Sequence, residues 1–294
     1  MQSQTISLVR EDDDKDQRVK EVYRDIKESL RIPFVNIIFQ AYAAVPRFLD
    51  FVWRRLRPSM LAVRFVDDAA RIGAMADRGV ESWPISNHAA QLRARNLGEA
   101  DVRKMREIAD LFHQVDPRLL IIAHGVRLAL SGEEVGGVGS FGPRSDEDKE
   151  RVGTDFRGVN VQKTDDNEAP LRVRTIFEEI KTATGAPVLA TDYRAMASWP
   201  DWLEVWWKDC KAALRDPRYA ALREELGDAA RQLARSLPHH LNLSADLLDG
   251  YGVDASERTR IAAVNRAFCD LLPGLIVNMA VARRGLGAPP DSQR

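Results

Sequence analysis

Apolar residues return every three or four positions along most of the chain, the period of a helix with one buried face. Val19, Val22, Tyr23, Ile26 and Leu30 form one such stripe. Val102, Met105, Ile108, Ala109 and Phe112 form a second, and Val173, Ile176, Phe177 and Ile180 a third. Strand-like alternation is scarce. Pro33, Pro46, Pro117, Pro187, Pro200, Pro217 and Pro273 fall where helices can begin, because a first-turn residue needs no partner for its N–H. The pattern predicts roughly ten to twelve helices and no substantial sheet, an all-α fold.

The pattern also recurs. An offset of 154 positions superposes Ile26 on Ile180, Lys27 on Lys181, Pro33 on Pro187, Ala41 on Ala195, Ala43 on Ala197, Pro46 on Pro200, Leu49 on Leu203 and Trp53 on Trp207. Eight identities in 28 ungapped positions exceed the roughly two that composition alone supplies. Farther on, an offset of 156 aligns Phe112 with Phe268 and Pro117 with Pro273. The expected organisation is two tandem helical repeats, residues 1–131 and 169–294, folded as an intrachain pseudo-dimer. Residues 132–168 form the long linker, which holds seven of the 18 glycines and no sustained apolar period. A pocket is expected near the pseudo-symmetry axis.

Composition narrows the function classes. The chain has 294 residues, 45% hydrophobic and 30% charged, enough apolar material for a core. A net charge of -1 leaves no excess with which to bind a phosphate backbone, so no nucleic-acid partner is expected. Cys210 and Cys269 offer neither a CxxC pair nor a disulfide framework, and the acidic run Glu11 to Asp14 does not resemble a secretion signal. The longest apolar segment, Leu271 to Ala282, falls below the ~20 residues that span a bilayer. A cytoplasmic protein with no membrane partner is the expectation; a homodimer is left open.

The offset exposes one chemical asymmetry. Asp192 has Val188, Leu189, Ala195 and Met196 three and four positions away, so a helix beginning at Pro187 places its carboxylate in an apolar stripe. Its equivalent in the first half is Ile38. An unpaired buried carboxylate is costly, and desolvation raises its pKa toward the range of a general base. A structural salt bridge is the alternative. Asp116, before Pro117, reads most simply as a helix N-cap. Asp67 and Asp68 read as a solvated pair with Arg64 and Arg71. His113, His124, His239 and His240 lack metal-site spacing, and no metal is expected. The tryptophans read as core, and Gly136, Gly137 and Gly139 as flexible spacing.

The stretch Thr191-Asp192-Tyr193-Arg194-Ala195-Met196-Ala197, followed by Trp199-Pro200-Asp201, resembles the group I 2-haloacid dehalogenases, which include the non-stereospecific DL-2-haloacid enzymes. The resemblance extends over most of the chain. It implies an all-helical single-chain pseudo-dimer that hydrolyses a small halogenated carboxylic acid to a 2-hydroxy acid, with water as co-substrate and no cofactor. It makes Asp192 the base that activates water for attack with inversion, without an ester on the enzyme. Thr191, Asn36, Phe39 and Tyr193 become substrate-pocket residues, and backbone amides at a helix start could receive the substrate's carboxylate. The non-stereospecific enzymes have a pocket asparagine where this chain has Asp116. That second acid of the site would repel an anionic substrate or share a proton with Asp192. Asp67 is the nearest match to a further acid of some members. A non-catalytic module that binds a small acid or a protein is the alternative function.

Overall fold

The computed structural model describes residues 7–12, 16–137, 154–186 and 188–287. Among them are twelve helices and no strand. The first six are α1 Gln17–Leu30, α2 Ile37–Tyr42, α3 Pro46–Met60, α4 Val63–Gly79, α5 His88–Ala94 and α6 Glu99–Leu130. The second six are α7 Leu171–Thr184, α8 Thr191–Met196, α9 Pro200–Ala213, α10 Pro217–Arg235, α11 Ala245–Gly250 and α12 Ala255–Gly285. Helices α1 to α4 each begin 154 positions before α7 to α10. Their caps match in conformation as well. Asn36 before α2 has φ -67° and ψ 150°, and Ala190 before α8 has -65° and 151°. Helices α1 and α7 both end in the left-handed region, at Arg31 and Gly185.

Local chemistry explains most boundaries. Pro46, Pro200 and Pro217 open their helices as the pattern requires, and Asp16 and Asp216 accept from the backbone N–H two residues on. Asp254 and Glu257 close a reciprocal capping box at the start of α12. Three expectations need correction. Pro33 lies in the loop before α2, whereas Pro117 and Pro273 lie inside α6 and α12. Asp116 is therefore not a cap: tertiary packing of two long helices outweighs the cost of an interior proline. Pro187 lies outside the described residues, and the helix expected there begins at Thr191, after extended backbone at Ala190.

The two longest helices, α6 and α12, form the centre, and each packs against both α4 and α10. The short helices cross over. Helix α2 packs on α12, and α8 packs on α6. By length and composition α12 could cross a membrane, unlike the segment Leu271–Ala282 taken alone. Here most of its apolar stretch is buried inside the protein.

Polar bonds moor the short helices to α12. The Tyr42 hydroxyl donates to Asn265 Oδ1, and Asn265 Nδ2 donates to the Ala123 carbonyl at 2.8 Å. Asn278 Nδ2 donates to the Tyr193 hydroxyl at 2.9 Å, and the Tyr219 hydroxyl donates to Asn278 Oδ1 at 3.0 Å. The Trp206 indole N–H donates to the Asn278 carbonyl. Buried Arg283 ties α12 to Asp110 at 2.7 Å and to Asp77 at 2.6 Å.

Parts of the connector pack rather than float. Phe156 is buried and its N–H donates to the Arg31 carbonyl, while Thr164 and Arg194 exchange two hydrogen bonds. Gly136 and Gly137 take positive φ, and a Cβ on Gly136 would sit 2.2 Å from the His239 carbonyl oxygen. Positive φ and close approach, of backbone at Gly136 and of the His240 ring at Gly137, favour glycine at both positions; Gly139 lies outside the described residues.

Asn278→Leu leaves two buried hydroxyls, those of Tyr193 and Tyr219, without this partner. Urea unfolding is expected to show a loss of roughly 2–4 kcal/mol, with the far-UV helix signal retained in the folded baseline.

Candidate active site

The crossover places the starts of α2 and α8 on one small cavity of about 40 Å³, room for a few waters or one short molecule. Asn36, Ile37 and Ile38 line it from α2, and Ala190, Thr191 and Asp192 from α8. Asp116 and Leu119 face it from the middle of α6. Helix α12 closes it with Phe268, Leu271, Leu272 and Leu275. Among the described residues no lysine, arginine or histidine lines it. A larger surface depression of about 1010 Å³ lies beside α7 and α9. It is open, and its lysines are paired with Asp166, Glu178 and Glu179, so it lacks the enclosed acid that the cavity presents.

Asp192 and Asp116 are 3% and 2% exposed, and their carboxyl groups are hydrogen-bonded to each other. Two carboxylates cannot share that contact without a proton between them. Burial pushes Asp116 well above the ordinary carboxylate range, and the charge and hydrogen bond of Asp192 push it the same way. Burial also raises Asp192, to about 6; the hydrogen bond from Asp116 and the residue's own backbone N–H pull it back down. The pair therefore shares one proton and carries a single charge. No N–H or O–H of a third residue reaches Asp116 Oδ2 or Asp192 Oδ1.

Asn36 contributes another buried polar atom. It stands at the N-cap of α2, where an asparagine ordinarily bonds to the first turn, yet its side chain makes no cap bond. Its Oδ1 is buried and unpartnered. Among the described residues no group of three or more His, Cys, Asp or Glu could hold a metal ion.

The remaining sequence candidates separate. Thr191 is buried on the cavity wall. Phe39 is turned into the core, edge-on to Tyr42 and Trp53, and does not line the cavity. Tyr193 likewise faces Asn278 and Trp206. These two lie on the far side of their short helices, because the cavity meets only the first residues of each. Asp67 is exposed on α4, outside the cavity; its neighbour Asp68 is buried between Arg64 and Arg71 instead of solvated. The α12 wall was missed, although Phe268, Leu271, Leu272 and Leu275 keep a helical period that marks it.

These features define an all-helical protein with a proton-sharing acid pair in an apolar cleft. The family described as halocarboxylic acid dehydrogenase DehI matches residues 33–193, and the chain belongs to that family. The match includes Asn36, Asp116 and Asp192. An (R)-2-haloacid dehalogenase of Pseudomonas putida is 28% identical over 271 residues, 90% of this chain and 87% of the relative. A configuration-inverting 2-haloacid dehalogenase of Alcaligenes xylosoxydans xylosoxydans is 25% identical over 75% of this chain and 74% of its own length. A solved D-2-haloacid dehalogenase mutant in complex with D-2-CPA superposes with a TM-score of 0.87 at 26% identity, covering 96% of each chain.

Both acids have folded-state pKa values above their unfolded ones. The stability of burying them is thus complete below the unfolded carboxylate range and lost as pH rises through the folded pKa. Asp192→Asn is expected to stabilise the protein at about pH 8 by on the order of 3 kcal/mol, with the gain vanishing near pH 4. Denaturant melts at both pH values check this. An equal gain at both would exclude ionisation as the cause.

Proposed function

We propose that the chain is a cofactor-independent group I 2-haloacid dehalogenase acting on short 2-haloalkanoic acids. The observation that carries the reading is the buried Asp116–Asp192 pair, holding one proton between two oxygens and opening on an apolar cavity within a fold shared with haloacid dehalogenases. Asp192 accepts a proton from water bound in the cavity. The water oxygen forms a bond to the halogen-bearing carbon as the carbon–halogen bond breaks, and the halide leaves with the bonding electrons. In-line attack inverts the carbon. Asp116, protonated, fixes the Asp192 carboxylate and lowers its pKa toward working pH. Thr191 and the apolar residues of α2 and α12 enclose the substrate.

The same proposal extends to the architecture. Residues 1–131 and 169–294 are two copies of one helical unit joined by 132–168, supported by the common offset of four helix pairs and by the crossed packing of α2 and α8. A parallel pair of bonds supports it further: Trp53 donates to Asp25 at 2.8 Å, and Trp207 donates to Glu179, 154 positions on, at 2.7 Å. A cytoplasmic setting fits the two buried free thiols.

Halide release from 2-chloropropionate tests the chemistry. Asp192→Asn is expected to lower kcat by roughly 10³-fold, and a single turnover in labelled water to put the label directly into product. Equal release by the variant, or label appearing first in the protein, would overturn the role. Substrate binding without halide release would establish the non-catalytic alternative.

The base works ionised, so kcat/KM is expected to fall as pH drops through about 6. Asp116→Ala removes the bond that lowers the Asp192 pKa and should move this limb upward. An unmoved limb would show that Asp116 does not tune the base.

A further inference from the structure

We infer that the cavity has a single apolar mouth, between α12 and the loop before α8, in which the alkyl tail of the substrate lies, and that Leu271 sets the longest tail accepted. The inference rests on Asp192 activating water as proposed above, and adds to that reading the determinant of chain length.

The walls of the cavity come in pairs. At offsets of 154 and 156 positions Ile38 corresponds to Asp192, Asp116 to Leu272 and Leu119 to Leu275, and all of these line the cavity. On the proposed duplication, a space between matched halves has two equivalent ways out. Here the two differ. On the α12 side Val188, Ala267, Phe268 and Leu271 line the cavity, and all but Phe268 are only half-buried, so the space reaches solvent there. Half-buried Ile37, on the helix that packs against α12, completes the rim. The counterparts on the α6 side, Phe34, Leu111, Phe112 and Val115, are all buried, and none of them lines the cavity.

Side-chain size and cover account for the difference. Phe34 and Leu111 stand where the open side has the smaller Val188 and Ala267. Phe34 packs on Phe112 with ring centroids 5.6 Å apart, and Lys163 Nζ, from the connector, sits 5.0 Å from the centroid of the Phe34 ring. The next residue, Val35, donates its N–H to Glu11 at 2.9 Å. The connector and the segment before α1 thus cap the α6 side and leave the α12 side as the mouth.

The mouth fixes how a 2-haloalkanoic acid lies. About 40 Å³ holds the attacking water and little beyond the reacting end of the molecule beside the acid pair. Every rim residue is apolar. The part of the substrate left among them is therefore the alkyl tail, which gives up no hydrogen bond on leaving water. Leu271 both lines the cavity and meets solvent, so its side chain limits how far a tail extends. Replacing it with alanine removes three carbon atoms, as many as the tail of 2-bromohexanoate adds to that of 2-bromopropionate.

The experiment compares bromide release from these two acids by the wild type, Leu271→Ala, Leu271→Val, Ala267→Leu and Phe34→Val. Leu271→Ala is expected to raise the ratio of kcat/KM for the longer acid over the shorter by roughly tenfold or more. Leu271→Val, which carries the residue of the capped side, should raise it by less. Ala267→Leu narrows the mouth and should lower kcat/KM for both acids, more steeply for the longer. Phe34→Val thins the capped side and should leave the ratio as in the wild type. A ratio unchanged in both Leu271 variants overturns the inference and leaves the dehalogenase reading intact. So does a rise in Phe34→Val equal to that in Leu271→Ala, because the tail would then lie on the α6 side. Release lost from both acids in both Leu271 variants overturns it too, since the residue would then hold the reacting end instead of the tail. Release from neither acid by the wild type overturns the dehalogenase reading, and this inference with it.

Discussion

The shared proton between Asp116 and Asp192 is the constraint around which the protein is built. Two carboxyls enclosed by leucines, isoleucines and a phenylalanine are tolerable only as a pair with one charge. That requirement divides their labour. Asp116 stands in the middle of a long helix with packed residues on both sides, where burial disfavours its charge. Asp192 stands in the first turn of a six-residue helix, where its own backbone N–H and the Asp116 donor support the charge. Neither role is intrinsic to aspartate; environment assigns both.

The surrounding helices hold this pair at its separation. Helix α6 carries one acid and α8 the other, and these helices pack directly on each other. Helix α8 is too short to be stable alone, so its position depends on tertiary bonds. Tyr193 supplies one at Asn278, Arg194 supplies another through the connector at Thr164, and Tyr42 does the same for α2 at Asn265. The residues that the family resemblance assigns to the pocket, Phe39 and Tyr193, thus act one layer behind it. They fix the short helices whose first residues meet the cavity.

What could be read from residues alone follows from the physics of each feature. Periodicity reveals helices because burial of one face repeats along them, and the 154-residue offset marks Asp192 because an acid stands where Ile38 stands in the first half. Both positions are buried, at 3% and 1% exposure. Asp116 was harder. A proline after an aspartate ordinarily signals a helix start, and only the packing of α6 against α12 shows the chain running helical through it. The start of α8 was misplaced for a related reason: Val188 and Leu189 are apolar enough to continue a helical stripe but lie in non-helical backbone. The pairing of the acids depends on contact between residues 76 positions apart, which no local pattern encodes.

On the proposed duplication, the short helices also account for a single acid pair between two matched halves. Helices α2 and α8 have the same length, the same entry conformation and equivalent packing on the opposite long helix. Their second residues, Ile38 and Asp192, both line the cavity. An acid at both positions would place a third carboxyl in an enclosure that already has to share one proton between two, and an apolar residue at both would leave Asp116 buried without its partner acid. One apolar wall and one acid is the arrangement that keeps a single charge in the cavity. Asn36 belongs to the same division: its buried, unpartnered Oδ1 is the polar side-chain atom that the start of α2 brings to the cavity.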